Sequence, residues 1–280
     1  MNVLILTILI GLGSSVAGYL GSLTGLGGGF IIIPMLTLAF GVDIRYAIGT
    51  SLIAVIATSS GAAAAYVREG FSNIRIGMFL EIATTAGAVV GAFLALRLPT
   101  HAIAVIFGLV LMNSAYLSSR PQDESGRPQA SDRFAVLLKM NGTYPTPHGP
   151  KSYGVRSVPA GFGLMAIAGV LSGLLGIGSG AVKVLAMDQA MRLPFKVSTA
   201  TSNFMIGVTA AASAGIYLNK GYIDPVLTMP VVLGVLIGSM LGARHLFGVE
   251  TRKLRTIFGA VIVVLAAQMI YSGLKGWIIK

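Results

Sequence analysis

The chain contains itself twice. Setting Gly25 against Gly176 fixes an offset that holds without a gap. Gly27 and Gly29 fall on Gly178 and Gly180, Thr50 and Ser51 on Thr201 and Ser202, Thr58 on Thr209, Tyr66 on Tyr217, and Gly70 on Gly221. Further on, Gly87 and Gly91 meet Gly238 and Gly242, and Ile106, Phe107 and Gly108 meet Ile257, Phe258 and Gly259. Matches of glycine and alanine come cheaply in a chain rich in both. One register held from Gly25 to Gly108 does not, and it marks a duplication. The register reaches back to Ala17 and Gly18, opposite Ala168 and Gly169. The N-terminal apolar stretch thus has a mid-chain counterpart and lacks the basic start of a signal peptide, so it reads as a retained helix.

Any fold must therefore build one unit twice. Each unit reads as five apolar segments, at 3–22, 29–41, 47–66, 76–97 and 101–118, and again at 157–175, 179–191, 198–218, 226–247 and 253–274. Only 10% of residues are charged, against about 25% in a soluble domain. So few charges cannot clothe a water-facing surface, and the solvent for most of the chain is lipid. The expected fold is an all-α polytopic membrane protein. Residues 1–118 and 157–280 form two transmembrane repeats of four to five helical segments each, joined by a hydrophilic linker at 119–156. Within the linker, "RFAVLLKM" reads as a short surface helix.

The second segment of each repeat, at 29–41 and 179–191, is short. As a helix it spans roughly 20 Å, less than a hydrocarbon core of about 30 Å, so it reads as re-entrant or half-spanning. Whether it counts as a crossing decides the symmetry. With five crossings the repeats are inverted, and 14 basic residues, from Arg68 to Arg255 and including the linker, share one side against Arg45, Arg97, Lys220, Lys275 and Lys280. With four crossings the repeats are parallel and the same residues divide 8 against 11. The five-crossing topology fits the positive-inside bias better and puts the linker in the cytoplasm; the shortness of the second segment argues the other way.

The net charge of +11 does not signal nucleic-acid binding, because the basic residues lie in short loops and no soluble basic face exists. The chain has no cysteine, which removes thiolate chemistry and disulfides. His101, His148 and His245 are too scattered for a metal cluster. No metal, cofactor or enzymatic constellation is expected.

The residues that invite a function cluster at the glycine runs. "TGLGGGFIIIP", from Thr24 to Pro34, lacks the Lys-Ser/Thr ending of a P-loop and has Phe30 where a dinucleotide fingerprint needs glycine. One alternative is close helix packing through small residues. The other is a helix break, tolerated inside a bilayer only where it lines a cavity or is buried in protein. The break recurs as "GIGSG" at Gly176–Gly180. Paired breaks in matching places of two repeats point to a midplane transport site, and amide-rich helix starts favour an anion.

The candidate substrate-binding residues are therefore Gly25, Gly27, Gly28, Gly29, Thr50, Ser51, Gly176, Gly178, Ser179, Gly180, Lys183, Thr201, Ser202 and Asn203. Lys183 stands in an apolar run opposite Ile32 and either adds positive charge beside the gap or snorkels from a shallow helix end. Thr50–Ser51 and Thr201–Asn203 read as helix caps or as hydrogen-bond partners of a polar substrate. Thr58 and Thr209 read as packing residues. Glu81, opposite Val232, is a candidate for proton or ion coupling, with an interfacial position near Arg75 as the alternative. Gly87, Gly91, Gly234, Gly238 and Gly242 let the fourth helices pack closely.

The motifs "GLGGGFIIIP" and "GTSL", with their echoes "GIGSGAVKVL" and "ATSNF", resemble the TauE/SafE sulfite exporter family of permeases. The likeness covers both copies. The second copy departs at Ser179, Lys183 and Leu185, the last standing where Pro34 would. The resemblance implies transport of small sulfur-containing anions, such as sulfite or organosulfonates, across a bacterial plasma (inner) membrane. The expected mechanism is alternating access at a midplane site between the repeats. An anion channel, a carrier of another small organic anion, a cation carrier and a substrate-free scaffold are the rival readings. The expected partners are the bilayer and a small anion, with oligomeric state left open.

Overall fold

A computed structural model describes residues 3–24, 27–119, 131–146, 149–245 and 251–278. The first copy comprises α1 (Val3–Thr24), α2 (Gly29–Pro34) continuing as a π-helical stretch (Met35–Ala39), α3 (Ile44–Arg68), α4 (Ile74–Arg97) and α5 (Thr100–Ser119). A short α6 (Arg133–Leu137) and a two-stranded hairpin, β1 (Gly142–Tyr144) and β2 (Lys151–Tyr153), occupy the linker. The second copy comprises α7 (Val158–Leu175), α8 (Gly180–Leu185) continuing as a π-helical stretch (Ala186–Ala190), α9 (Phe195–Asn219), α10 (Pro225–His245) and α11 (Thr251–Ile278). The starts of α2, α3, α4 and α5 reappear, at the offset of the sequence repeat, as those of α8, α9, α10 and α11. Among the described residues, α1, α3, α4, α7 and α10 contain stretches long and apolar enough to cross a membrane. The fold is an all-α polytopic membrane protein.

The copies interleave. α1 packs chiefly on α10, α4 on α7, and α5 on α11, while α3 and α9 meet at the centre. Glycines let these backbones touch. A methyl group on Gly18 would collide with the Val235 carbonyl, and one on its counterpart Gly169 with the Thr84 carbonyl. Gly234 and Gly238 press on α1, and Gly87 and Gly91 on α7, as expected for small-residue packing in lipid.

The order of these contacts gives helix directions. Gly11, Ser15 and Tyr19 of α1 meet Gly234, Gly238 and Gly242 of α10, so the two run parallel. Thr50 and Gly61 of α3 meet Thr228 and Ser239 of α10, so α3 is parallel to both. In the same way Gly169 and Gly173 of α7 meet Thr84 and Ala88 of α4, which is also parallel to α9 through Gly77 against Phe204 and Glu81 against Thr209. α3 and α9 cross in opposite senses: Ser59 meets Asn203 and Gly207, Tyr66 near the end of α3 shares the Ser22 carbonyl with Asn203, and Ser72 just after α3 reaches the Ala200 carbonyl, while Tyr222 just after α9 packs on Tyr46 at the start of α3. Since α1 and α3 point the same way, the short stretch from Gly29 to Ala39 carries the chain back between them.

The linker docks on the helices. Ala135, Met140 and Val155 are buried in one cluster with Ile76, Leu80, Met165, Met187 and Met191. Asn73 caps α4 by accepting from the Ile76 amide, and its Nδ2 donates to the Met140 carbonyl at 2.8 Å and to the Tyr153 hydroxyl at 2.9 Å. Within "RFAVLLKM" the short surface helix is α6, which docks through the buried Ala135 and leaves Phe134, Val136 and Leu137 exposed.

Candidate functional site

Both glycine runs end a helix inside the protein. α1 ends at Thr24 and α2 begins at Gly29; α7 ends at Leu175 and α8 begins at Gly180. Gly27, Gly28, Gly176 and Gly178 all have φ between +67° and +76°, a region that glycine enters without a Cβ penalty. Ser179, the counterpart of Gly28, adopts φ +50° with a side chain present. Gly25 lies outside the described residues.

A helix that stops in lipid strands its last carbonyls. Here the opposite ends of the long central helices supply donors. Tyr66 of α3 donates to the Ser22 carbonyl at 2.7 Å, and its counterpart Tyr217 of α9 donates to the Gly173 carbonyl at 3.2 Å. Asn203 Nδ2 adds a second donor to Ser22 at 3.2 Å.

The two breaks meet. A Cβ on Gly27 would lie 3.1 Å from Ile206 and 3.2 Å from Val55; one on Gly178 would lie 2.7 Å from Ile206 and 2.8 Å from Val55. A Cβ on Gly29 would lie 3.1 Å from the Gly176 carbonyl. Val55 and Ile206 each stand near the middle of a long helix, α3 (Ile44–Arg68) and α9 (Phe195–Asn219), so the junction sits at mid-height.

Thr50, Ser51, Thr201, Ser202 and Asn203 are not caps. α3 begins at Ile44 and α9 at Phe195, so these residues sit inside their helices, past one helical turn. The apolar criterion overlooked the polar first turns "IRYA" and "FKVS". Ser51 donates to the Gly176 carbonyl at 2.8 Å and Ser202 to the Gly180 carbonyl at 3.4 Å, tying both hydroxyls to the second break. Thr50 pairs with Thr228 at 3.3 Å, and Thr201 accepts from the Asn73 amide at 3.0 Å; both hold neighbouring helices. Ser59 donates to the Asn203 carbonyl at 2.5 Å. Ser179 Oγ, Ser198 Oγ, Thr199 Oγ1 and Asn203 Oδ1 are buried with no hydrogen-bond partner.

Lys183 does not snorkel. It is fully buried, and its Nζ donates to the Thr209 hydroxyl. Thr209 in turn donates to Glu81 Oε1, which also accepts from Thr85 at 3.1 Å. Glu81 Oε2 lies 3.6 Å from Lys183 Nζ and has no hydrogen-bond partner. Glu81 is level with Thr209, less than one turn beyond Ile206 and near the middle of α9. Lys183, read as a lone positive charge beside the gap, thus has a carboxylate partner from the other copy. Thr209, read as packing, links the two. Nothing in the sequence joined them, because their counterparts are Ile32, Val232 and Thr58.

A family model described as the sulfite exporter TauE/SafE matches residues 9–269. The chain belongs to the TauE/SafE family. It is 27% identical over 267 residues to "Probable membrane transporter protein YunE" of Bacillus subtilis, covering 92% of this chain and 95% of that one. It is 25% identical over 275 residues to a "Probable membrane transporter protein" of Xylella fastidiosa, with 97% of each chain covered. "Probable membrane transporter protein MJ0441" of Methanocaldococcus jannaschii is 24% identical, with 91% and 92% covered. No solved structure matches the chain. Family and relatives alike are named as transporters, and the chain is a multi-pass membrane protein of that kind.

Proposed function

We propose that this TauE/SafE protein is a secondary permease for small sulfur-containing anions, sulfite, organosulfonates or related oxyanions, in a bacterial plasma membrane. One observation carries the reading. Two helix breaks from oppositely directed copies touch the same Val55–Ile206 pair at mid-height. Broken helices meeting at the repeat interface are the architecture of carriers that alternate access around a fixed site. The unpaired hydroxyl of Ser179, at the second break, supports an oxygen-rich guest, since a buried hydroxyl without a partner costs about 1–3 kcal/mol. The family's description as a sulfite exporter supports sulfur among the central atoms.

Purified protein in proteoliposomes tests this. Sulfite, thiosulfate, sulfoacetate, sulfate and acetate are compared for saturable uptake, counterflow and thermal stabilisation, because a ligand raises the stability of the state that binds it. The expected result is counterflow and stabilisation by sulfite or a sulfonate. Stabilisation by acetate alone, or by none of the panel, overturns the substrate class. Flux without saturation or counterflow overturns the carrier mechanism in favour of a channel.

A further inference from the structure

The Lys183–Glu81 pair spans the two copies: Lys183 rides on α8, next to the second break, and Glu81 on α4 of the other copy. Separating two buried opposite charges leaves each uncompensated in lipid, which is strongly unfavourable. An anion entering beside Lys183 competes with this carboxylate, and Glu81 then has to be neutralised or offered a substitute partner.

The geometry identifies the substitute. Glu81 Oε2 stands beyond hydrogen-bond reach of Lys183 and has no other hydrogen-bond partner, so one carboxylate oxygen is already loosely held. Lys183 follows Gly180 on the short α8, five residues beyond Gly178 at the junction where the breaks meet. Glu81 is the less buried member of the pair, its side chain 12% exposed against none for Lys183, although Oε2 itself is buried.

We propose that Glu81 couples anion movement to a proton by competing with the substrate for Lys183; this rests on the permease reading above. In the empty state Glu81 carboxylate balances Lys183 ammonium. When a singly charged anion takes the carboxylate's place, Glu81 accepts one proton. The buried charge is zero before and after, with one anion and one proton added. A dianion would leave one negative charge uncompensated. The site is therefore matched to monoanions, such as bisulfite or a sulfonate, over sulfate.

Among the described residues of the packed helices, no other titratable group shares this level. α7 carries none, and α9 carries Lys196 and Tyr217, each more than two turns from Thr209 and toward opposite ends of the helix. α4 carries Arg75 and Arg97 at its ends, and α5 carries His101 and Tyr116 near its ends. Asp188 lies beyond Lys183 in the π-helical stretch, where Gln189 Nε2 donates to it at 3.4 Å. It serves as the control, as Asp188→Asn.

The experiment uses full-length protein in vesicles with an imposed pH gradient, methanesulfonate, a monoanion, as the probe and an internal pH dye. With an alkaline interior, wild type accumulates the monoanion about tenfold per pH unit, the ratio for one proton per anion charge, and acidifies the lumen. Glu81→Gln, at whatever rate it moves the anion, levels off near equal concentrations and moves no protons. Should Glu81→Gln fail to insert, Glu81→Val combined with Lys183→Ile installs the residues of the other copy, an apolar exchange that folds tolerate better than a broken pair. That variant also loses gradient-driven accumulation. Asp188→Asn keeps it. A Glu81 variant that still accumulates anion with the gradient, or a wild type that transports without proton movement, overturns the coupling and leaves the permease reading standing. A wild type that moves no anion of the panel overturns both.

Discussion

Ser179→Gly separates folding from function at one atom. Ser179 is fully buried at φ +50°, directly before α8, and its hydroxyl has no hydrogen-bond partner. The left-handed conformation costs a residue with a side chain about 1–2 kcal/mol. The unpaired buried hydroxyl costs about 1–3 kcal/mol more. Glycine removes both terms and returns about 0.5–1 kcal/mol as extra freedom in the unfolded chain. The net expectation is a protein more stable by about 1–4 kcal/mol, and the first copy shows that the fold accepts glycine here, at Gly28 with φ +75°. Functional sites retain such strain when it serves a ligand. Thermal unfolding in detergent is measured beside anion counterflow, and Ser179→Gly is expected to raise the first and weaken the second. The converse change, Gly28→Ser, is expected to destabilise, because its Cβ would lie 2.9 Å from the Ala17 carbonyl. If Ser179→Gly melts no higher than wild type, the strain argument is wrong. If it melts higher and exchanges anion at the wild-type rate, the hydroxyl has no part in binding.

Gly178→Ala and Gly221→Ala share a left-handed φ, but only the first presses on Val55 and Ile206. Gly178→Ala should therefore melt lower by the overpacking cost of about 1–3 kcal/mol, and adding Val55→Ala should restore part of the loss. Gly169→Ala collides with the Thr84 carbonyl, whereas Gly163→Ala meets nothing, so only the former should lower the unfolding midpoint. Asn73→Ala removes a cap worth about 1 kcal/mol along with two bonds to the linker; limited proteolysis between residues 131 and 156 should become faster. Burial raises the Tyr153 phenol above its ordinary value, opposed by its bond with Asn73. The folded state thus holds that proton more tightly. This stabilisation is full below the ordinary phenol value of about 10 and is lost as the pH climbs through the raised one. Linker protection from protease should decline in that alkaline range, and less steeply in Tyr153→Phe.

The duplication was legible because glycine, threonine and tyrosine recur at one offset, and the same offset relates the helix starts. The breaks were legible because glycine runs inside apolar sequence have few other uses. The starts of α3 and α9 were not, since their first turns carry Arg45 and Lys196 and fail an apolar test. The Lys183–Glu81 pair was hidden for a different reason. It joins residues distant in sequence and on different copies, neither with a charged counterpart, so no periodicity links them. Docking of the linker rests on a few separated residues, Ala135, Met140 and Val155, too sparse to register as a pattern.

The interleaving of the copies has a consequence for biosynthesis. α1 finds its main partner in α10 and α4 in α7, so neither first-copy helix has its principal neighbour when the ribosome has finished Ser119. The glycine faces of α4 and α1 wait in the bilayer, covered by lipid, until helices made later arrive to displace it. α4 meets its partner as soon as α7 is made, whereas α1 waits for α10, and a chain cut short before α10 lacks the surface that α1 packs against.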